Sequence, residues 1–377
     1  VSDDQRLRFG DIVIAASSGS KKVVGKAALF HHDWEGSFGA FCYGLRPDSQ
    51  IDARYVAYFL ETSRYRNYVS EVAAGVNINN LRRAHIEDYE IPVAPRPEQN
   101  RVVAEIEKQF SRLDAGVAAL RRVEANLKRY KAAVLKAAVT GELPGCSNER
   151  IAFSSSNWMP IDRVIEALEQ GWSPRCEREG SENDAEWAVI KTTAVQSLRF
   201  VPAENKRLPE LLTPRPNLEI VPGDLLITRA GPRTRCGICC VVPSTRKRLM
   251  VCDKVYRIRC DRLRASSEYL SIILNAPPIT DALNELKTGI SDSGVNLTQG
   301  RFRQLRIPLP SVAAQAAVVE DVWRLLSVTE GIEANLNRAV LRATSLRQSI
   351  LKDAFEGKLV EQDPTDEPAG ALLARIK

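Results

Sequence analysis

Two segments of the chain end in nearly the same way. Residues Val134 to Leu143 are "VLKAAVTGEL", and Ile350 to Leu359, 216 residues further along, are "ILKDAFEGKL". In both, a run of helix-forming residues ends at a glycine, the residue that most readily adopts the left-handed conformation that closes a helix. A helix ending that recurs at such a distance predicts two copies of one structural module.

Further matching pairs support a repeat. "FGDIVIA" from Phe9 matches "PGDLLIT" from Pro222, "YVAYFL" from Tyr55 matches "YLSIIL" from Tyr269, and "GVNINN" from Gly75 matches "GVNLTQ" from Gly294, with separations of 213 to 219 residues. Nothing in the first copy matches residues 151–221. We therefore expect the first module to lack about its first third, with the chain beginning inside it.

A long helix closes each copy. No proline occurs from Glu98 to Thr140, and apolar residues recur every seventh position at Ile106, Leu113, Leu120, Leu127 and Val134. This spacing predicts a coiled-coil seam on a helix about 60 Å long. The second helix is predicted from about Ala313 to Glu356, with a less regular seam interrupted near Thr329 and Glu333. Antiparallel pairing of the two helices would cover both seams; in the alternative, each helix packs only on its own module.

The fold class predicted is α+β, with two mixed α/β modules, a pair of long antiparallel coiled-coil helices and an internal pseudo-two-fold repeat. Strands are predicted in "GDLLIT", "CGICCVV" and "EWAVIKTTAV", and helices in "EYLSIILNA" and "IDRVIEALEQ". The predicted boundaries are 1–96 and 144–310 for the two modules. Those of the helical segments are 97–143 and 311–377, the latter including a tail.

Composition narrows the classes of function. The net charge of +6 and pI of about 8.9 favour a polyanionic partner without requiring one. No run of 18 apolar residues is present, so no membrane span is predicted. The absence of a Walker A loop argues against ATP hydrolysis by this chain.

The cysteines allow two interpretations. Cys236 and Cys239 form a Cys-x-x-Cys pair, with Cys252 and Cys260 following, which is compatible with a zinc site. The repeat favours a packing role instead, because Cys236, Cys239 and Cys240 align with small apolar residues of the first copy. No metal is therefore predicted.

Two long stretches carry a resemblance to a known family. "IPVAPRPEQNRVVAEIEKQFSRLDAGVAAL" and "SLRQSILKDAFEGKLVEQDPTDEPAG" resemble the helical regions of type I restriction-modification specificity subunits. "WMPIDRVIEALEQGWSPRC" and "PGDLLITRAGPRTRCG" resemble the start of a target recognition domain of that family. The chain departs from the pattern in the missing start of its first domain. It also departs where Ala313-Ala314-Gln315 replaces Glu98-Gln99, which we expect to weaken a contact at the start of the second long helix.

The resemblance implies a non-catalytic subunit that recognises a bipartite target in double-stranded DNA. Each recognition domain would recognise one half-site, and the helices would set the spacing and dock two methyltransferase subunits, which nuclease-translocase subunits join. S-adenosylmethionine, ATP and Mg are expected on those partners and no cofactor in this chain. A cytoplasmic location is also implied.

The loop after "GDLLI" is the first candidate for DNA contact. Arginine pairs with guanine edges, while serine, threonine and lysine mostly contact phosphates. A solvated hairpin turn is the alternative. The candidates are Thr228, Arg229, Arg233, Thr234 and Arg235 in the second module, and Ser17, Ser18, Ser20, Lys21 and Lys22 in the first.

The second candidate is the "GVN" segment of each module. Asparagine can pair with adenine in the major groove, although glycine and asparagine also simply make turns. Its candidates are Asn77 and Asn79, with Ser293 and Asn296 in the second module. Weaker candidates are Arg175, Lys191 and Lys287.

Two other functions stay open on the sequence. The chain could be the recognition part of a fused methyltransferase-nuclease, which a glycine-rich methyl-donor loop before Val1 would reveal. It could also be a coiled-coil scaffold that does not recognise DNA, in which case partner binding would persist without DNA binding.

Overall fold

The computed structural model of the chain describes residues 6–32, 36–75, 78–143 and 158–376. The chain divides into two compact units, each built from more than one module of the sequence. Unit 1 comprises Val1–Val123 and Ala334–Lys377, and unit 2 comprises Glu124–Glu333. Both long helices contribute to both units. In the described ranges, no helix is long and apolar enough to cross a membrane.

The described residues form short strands and helices around two very long helices. The strands are β1 Ile12–Ala15, β2 Ser17–Ser18, β3 Ala27–Leu29, β4 Cys42–Leu45, β5 Asn79–Asn80, β6 Trp158–Pro160, β7 Ile165–Gln170, β8 Ala188–Ile190, β9 Val195–Gln196, β10 Arg199–Phe200, β11 Asn205–Arg207, β12 Leu225–Thr228, β13 Ala230–Gly231, β14 Cys239–Val241, β15 Leu249–Met250, β16 Val255–Cys260, β17 Val295–Asn296 and β18 Arg306–Pro308. The helices are α1 Ala53–Phe59, α2 Ser63–Val72, α3 Arg83–Glu87, α4 Arg96–Thr140, α5 Ser267–Leu274, α6 Pro277–Leu286, α7 Gln299–Arg303, α8 Val312–Phe355 and α9 Ala369–Ile376.

Unit 1 is built on a small antiparallel sheet of order β3-β1-β4. Ile12 and Ile14 of β1 are fully buried and pack with Phe59 of α1 and Tyr65 of α2. Each helix begins at a capping side chain: Asp52 accepts from the backbone of Arg54, and Thr62 accepts from that of Tyr65. The caps fix the residue at which each helix starts, and this sets which apolar residues of the helix face the sheet.

Unit 2 contains the corresponding sheet with an added strand, in the order β14-β12-β16-β7, and a separate sheet of order β11-β8-β15. All four residues of β12 are buried. Leu225 and Ile227 belong to one apolar cluster and Leu226 to another, because successive side chains of a strand point to opposite faces. The sheet is therefore covered on both faces.

The two long helices were correctly predicted, and they share cores at their ends. In unit 1, Ile106 and Phe110 of α4 pack with Ile350 and Leu351 near the end of α8. In unit 2, the last turns of α4 pack in one cluster with the first turns of α8. The start of each helix thus meets the end of the other, so the pairing is antiparallel. The alternative in which each helix packs only on its own module is wrong.

The predicted seam is incomplete between these ends. Ile332 and Leu346 are 38% and 50% exposed, respectively, and Val123 is 43% exposed. The polar residues that interrupt the second seam each have a partner. Glu333 forms an ion pair with Lys131 of α4 at 2.7 Å, and the Thr329 hydroxyl donates to the Leu326 carbonyl at 2.6 Å. The paired helices therefore combine apolar ends with a more polar and exposed middle.

Both long helices end as the repeated sequence predicts. Gly141 and Gly357 have φ of 73° and 72°, in the left-handed region where glycine is favoured. The residue after each glycine donates its N–H back into the last turn, Glu142 to Ala137 at 3.0 Å and Lys358 to Asp353 at 2.8 Å. The same closure is thus built twice.

The repeat extends to buried polar contacts at the start of each long helix. The Gln99 side-chain oxygen accepts from the N–H of Asp52 at 2.8 Å, and that of Gln315 accepts from the N–H of Ser266 at 3.0 Å. Tyr55 and Tyr269 donate to the carbonyls of Pro92 and Pro308. The expectation that the second helix start is weakened is wrong, because Gln315 supplies the contact without an acidic neighbour.

Two predictions from local pattern were wrong or incomplete. "IDRVIEALEQ" is not an α-helix: Ile161–Val164 form a 3₁₀ turn and the rest is strand β7, paired with β16. Glu169 of β7 accepts hydrogen bonds from the buried Arg257, so pairing with the sheet overrides helix-forming composition. "EWAVIKTTAV" is split into β8 and β9 by a 3₁₀ turn at Thr192–Ala194.

Candidate nucleic-acid interface

Each unit carries an equivalent hairpin after its buried central strand. The first hairpin is defined as residues 16–25, between β1 and β3, and the second hairpin as residues 229–237, between β12 and β14. In the first, β2 pairs with β5, placing Ser17 opposite Asn80; in the second, β13 pairs with β17, placing Ala230 opposite Asn296. Each hairpin is therefore held laterally by the segment that also supplied the second group of candidates.

These ladders correct the alignment of the two "GVN" segments. Leu81 donates its N–H to the carbonyl of Ala16 at 2.8 Å, and Leu297 donates to that of Arg229 at 2.7 Å. Asn80, and not Asn77, therefore corresponds to Asn296. The sequence match pairs Asn77 with Asn296, but the ladder residue Asn80 lies three positions further on. The turns before the two ladders differ in sequence, whereas the ladders themselves are equivalent. Asn77 lies outside the described residues.

Two candidates in or next to the second hairpin are structural. Thr228 is fully buried; its hydroxyl donates to the Arg235 carbonyl and accepts from the N–H of Ile238. The Arg235 guanidinium donates to Gln196 and to two backbone carbonyls at 2.8 and 2.9 Å. Both side chains are occupied in holding the hairpin, contrary to the expectation that they contact DNA.

Arg229 and Arg233 differ in how they are held. Arg229 donates to the carbonyl of Asp253 at 2.9 Å and lies 5.4 Å from the ring centroid of Tyr256, which orients a half-buried guanidinium. Arg233 is 39% exposed and pairs with Asp292 at 2.7 Å, a partner that is itself 84% exposed. Such an exposed ion pair is weak, so Arg233 can exchange its partner for another anion.

Exposed polar side chains of this region include Thr234, Ser293 and Asn296. Ser293 shares a hydrogen bond of 2.7 Å with the hydroxyl of Ser291, and Asn296 lies on the strand that flanks the hairpin. Together with Arg233 they supply guanidinium, hydroxyl and amide groups on two adjacent segments. These are the groups that pair with base edges and phosphates.

The weaker candidates have separate environments. The Lys287 ammonium donates to the carbonyl of Arg233 at 3.0 Å and to the side chain of Asn284. Burial lowers the pKa of Lys287, with the nearby charge of Arg233 acting in the same direction. Lys191 lies 3.5 Å from Glu204, and Arg175 is exposed. Of the three, Lys287 is the one tied to the hairpin itself.

The first hairpin is more polar and less basic at its tip. Ser17 donates to Asn80 at 2.7 Å, and the buried Asn79 donates to the Ser18 carbonyl at 3.3 Å. Ser18 and Ser20 accept hydrogen bonds from backbone N–H groups two residues further on, which makes them turn-forming residues. Lys21 and Lys22 are exposed. Asn79 is thus a structural residue, and the two lysines are the cations this tip presents.

Sequence reasoning missed two residues that contact or flank the first hairpin. Arg66 of α2 donates to the carbonyls of Val24 and Lys22 at 2.8 and 3.2 Å. Asn80 is exposed and occupies the position equivalent to Asn296. The ladder register would have indicated Asn80, but no local pattern singles out Arg66 among the many arginines of the chain.

The cysteines considered for zinc are divided between two cores, with Cys236, Cys239 and Cys260 in one apolar cluster and Cys252 in the other. Cys239 packs in the cluster on one face of the sheet and Cys240 in the cluster on the other, so their thiols cannot bind one ion. Burial raises the pKa of Cys240 to about 12 and that of Cys252 to about 11. Over the described ranges, no group of three or more His, Cys, Asp or Glu side chains could hold a metal. Packing accounts for these residues.

The described geometry defines a repeat protein with two equivalent hairpins and two long helices. The chain is 32% identical over 396 aligned positions to the type I restriction enzyme EcoKI specificity subunit of Escherichia coli K12, a match covering all of this chain and 82% of that protein. It is 31% identical over 390 positions to the StySPI specificity subunit of Salmonella potsdam, again with 100% and 82% covered. The chain therefore belongs to the family of type I restriction enzyme specificity subunits, which are non-catalytic.

Comparison of structures agrees on the fold. A chain solved in a study of complex assembly and conformational transition of the type I R-M system matches with a TM-score of 0.61 at 17% identity, covering 95% of this chain and 85% of that one. No protein-family model matches the chain.

Proposed function

We propose that this chain is the DNA-recognition subunit of a type I restriction-modification enzyme, in which each hairpin recognises one half of a split double-stranded DNA target. The observation that carries the proposal is the equivalence of the two hairpins, each paired laterally to a short strand and bonded to the leucine that follows it. Two equivalent surfaces within one chain suit a target with two half-sites, because the pseudo-symmetry of DNA presents similar groove edges to both.

The side chains available at the second hairpin support recognition of bases as well as phosphates. Arg233 can donate two hydrogen bonds to guanine, and Asn296 can pair with adenine. Thr234 and Ser293 carry hydroxyls suited to phosphate oxygens. At the first hairpin, Lys21 and Lys22 supply phosphate contacts, and Asn80 occupies the place of Asn296.

The long helices supply the assembly surfaces in this proposal. Large apolar side chains remain exposed along α8, among them Val328 at 67% and Leu341 at 68%. Such exposure along a helix is typical of a surface that another protein covers. The partners proposed are two methyltransferase subunits and the nuclease-translocase subunits that join them. Those partners would hold S-adenosylmethionine, ATP and Mg, and the assembly would act on DNA in the cytoplasm.

The domain organisation proposed follows the repeat, with recognition modules at 1–96 and 144–310 and helical segments at 97–143 and 311–377. Unit 2 contains the sheet β11-β8-β15 and strands β6 and β7, for which the described part of unit 1 has no equivalents.

The rival functions make different predictions. A fused methyltransferase-nuclease would carry its catalytic residues in the same polypeptide, whereas the relatives that match this chain at 31–32% identity are specificity subunits. A scaffold without DNA recognition would bind the methyltransferase yet show no sequence preference.

A binding selection tests the proposal. The chain is assembled with its methyltransferase, mixed with a random duplex library, and the bound DNA is sequenced. We expect a motif of two short specified halves separated by an unspecified gap. Replacing Arg233 and Asn296 together by alanine should remove specified positions from one half only, at about 1–3 kcal/mol for each base-pairing side chain. Enrichment of no motif by an intact complex would refute the proposed function.

A further inference from the structure

Each hairpin is held by a cation that donates to carbonyl oxygens of the hairpin's own backbone. In unit 1, Arg66 of α2 donates from its two Nη atoms to Val24 and Lys22 at 2.8 and 3.2 Å. In unit 2, the Nζ of Lys287, the residue following α6, donates to the carbonyl of Arg233 at 3.0 Å. In both units a side-chain cation therefore donates to the hairpin backbone, although the carbonyls are not equivalent, since Arg233 matches Lys21.

The two cations are not equivalent in the repeat. Arg66 lies in the first half of α2, whereas Lys287 lies directly after the corresponding helix α6. The residue type and the position on the helix both differ, yet the acceptors are carbonyls of equivalent loops. Recurrence of the contact by different means indicates that fixing the hairpin backbone is the common requirement.

Each hairpin ends at a glycine beside this helix, and at Gly25 the approach is so close that a Cβ would clash, whereas at Gly237 the positive φ and not lack of space favours glycine. Gly25 and Gly237 have φ of +72° and +92°. A Cβ at Gly25 would lie 2.5 Å from Val69 of α2 and 3.1 Å from Arg66, and one at Gly237 would lie 3.7 Å from Leu283 of α6 and from Lys287. The backbone therefore passes directly over the helix, within reach of a side-chain donor.

Packing alone does not fix the second hairpin. A cavity of about 280 Å³ lies between the hairpin and α6, lined by Arg233, Thr234, Asn284 and Lys287 among others. Beside this cavity, the bond from Lys287 to the Arg233 carbonyl adds to the contacts of Thr228 and Arg235 that also hold the loop. In contrast to Arg233, whose partner is an exposed carboxylate, Lys287 donates to a backbone carbonyl and an amide oxygen.

We propose that Lys287 and Arg66 are positioning residues, which set the DNA selectivity of the second and first hairpins by fixing their backbones and do not themselves contact bases. The inference rests on the proposed function of the hairpins. A base-pairing side chain discriminates well only when its backbone is preorganised, because a mobile loop can adapt to a wrong base. Loss of the bond from Lys287 should therefore reduce selectivity more than it reduces overall affinity.

The test uses the assembled complex and the random duplex library, with four methionine variants. Lys287→Met and Arg66→Met remove the holding contacts. Lys254→Met and Lys26→Met are matched controls, because both lysines are exposed: Lys26 directly follows the first hairpin, and the Lys254 carbonyl accepts from the N–H of Arg229 in the second at 2.8 Å. Calorimetric unfolding of each complex verifies folding, and Lys287→Arg, Arg66→Lys and Lys287→Gln, which retain donors, serve as rescue variants.

Lys287→Met is expected to lower the enrichment of perfect over singly mismatched sites by about tenfold in one half of the motif, the change that corresponds to losing one charged hydrogen bond. Arg66→Met is expected to do the same in the other half. The controls should lower binding to all sequences evenly and reduce its salt dependence. Lys287→Arg should restore most of the selectivity, and Lys287→Gln part of it.

Three results would overturn the inference. The first is a loss of binding in Lys287→Met that is the same for all sequences and equal to that in Lys254→Met. The second is loss of selectivity in the same half of the motif in both Lys287→Met and Arg66→Met. The third is full selectivity in both of these methionine variants. A wild-type complex that selects no motif would instead refute the proposed function. The two failures are therefore distinguishable in one experiment.

Discussion

Replacing Gln315 by leucine should destabilise unit 2 more than the equivalent change at Gln99 destabilises unit 1. Both glutamines are fully buried at the starts of the long helices. Gln315 makes three hydrogen bonds to backbone groups, with Ser266, Arg264 and Pro310 at 3.0, 2.8 and 2.9 Å. Gln99 makes two, with Asp52 and Ala94, both at 2.8 Å.

The magnitudes follow from counting these bonds. A buried hydrogen bond contributes about 1 kcal/mol net, and leucine leaves each backbone partner unsatisfied. Gln315→Leu is therefore expected to cost about 3 kcal/mol and Gln99→Leu about 2 kcal/mol. Gln304→Leu is the control, because Gln304 is exposed shortly before the same helix and should change stability by less than about 0.5 kcal/mol.

The assay is urea unfolding of the chain, together with hydrogen exchange at individual amides of the native protein. Hydrogen exchange distinguishes a loss of stability in unit 1 from one in unit 2. The amide of Ser266 should lose protection in Gln315→Leu, and that of Asp52 in Gln99→Leu, each without loss in the other unit. A cost at Gln315 no larger than that of the exposed control, or a larger cost at Gln99 than at Gln315, would refute the reasoning.

Three further predictions concern buried polar groups. Arg257→Met should destabilise unit 2 by about 3–5 kcal/mol in urea unfolding, because it removes a guanidinium that is 1% exposed and leaves the buried Asp224, Glu169 and two backbone carbonyls without it; a cost below about 1 kcal/mol would contradict this. Burial opposes ionisation of Asp11, but bonds from Arg46 and from the N–H of Arg8 outweigh it and lower its pKa below 3.8, so its contribution is present above that pH and lost as the pH falls through the lowered value. Unfolding measured from pH 6 to pH 2 should therefore show a smaller loss of stability in Asp11→Asn than in wild type, and identical curves would count against the assignment. Native protein at pH 8 is treated briefly with a thiol reagent and analysed by mass spectrometry. The half-buried cysteines should be modified before the buried ones, and equal labelling would contradict the packing. The half-buried cysteines are Cys42 and Cys176, and the buried ones are Cys236, Cys239, Cys240, Cys252 and Cys260.

The long helices and the repeat were predictable because their signals are extended and redundant. An apolar heptad pattern over forty residues can be detected despite single polar interruptions. The similarity of the two glycine-terminated helix ends in turn indicates a repeat. Even Glu333, which interrupts the seam, has a partner on α4 in Lys131. The packing role of the cysteines was predictable for the same reason, since Cys239 and Cys240 occupy the ladder positions of Ala27 and Ala28.

Short elements were less predictable because tertiary contacts decide them. The segment that forms β7 contains good helix formers, yet its Glu169 is paired to a buried arginine distant in sequence. The two "GVN" segments have the same three residues, but in the first module the ladder residue, Asn80, lies three positions after the asparagine of that segment. Register depends on backbone pairing, which a match of three residues does not determine.

At the candidate interface, the sequence indicated a hairpin but not which of its side chains hold the loop. Thr228 and Arg235 have side chains suited to DNA, but both are used to hold the loop, and this follows from neighbours such as Gln196 that no local pattern brings near. Conversely, Arg66 holds the first hairpin from a helix more than forty residues further along the chain. Residue type indicates which chemistry is available, while the fold decides whether a side chain is free to use it.

The measurement that tests the central claim most directly is a methylation map. The chain is co-expressed with its neighbouring methyltransferase in a host that lacks adenine methylation, and N6-methyladenine is mapped across the genome. If both hairpins recognise DNA, methylation will occur at an asymmetric motif with two specified halves and a fixed gap. Methylation without any motif, or none at all from a complex that is shown to be intact, would contradict the account.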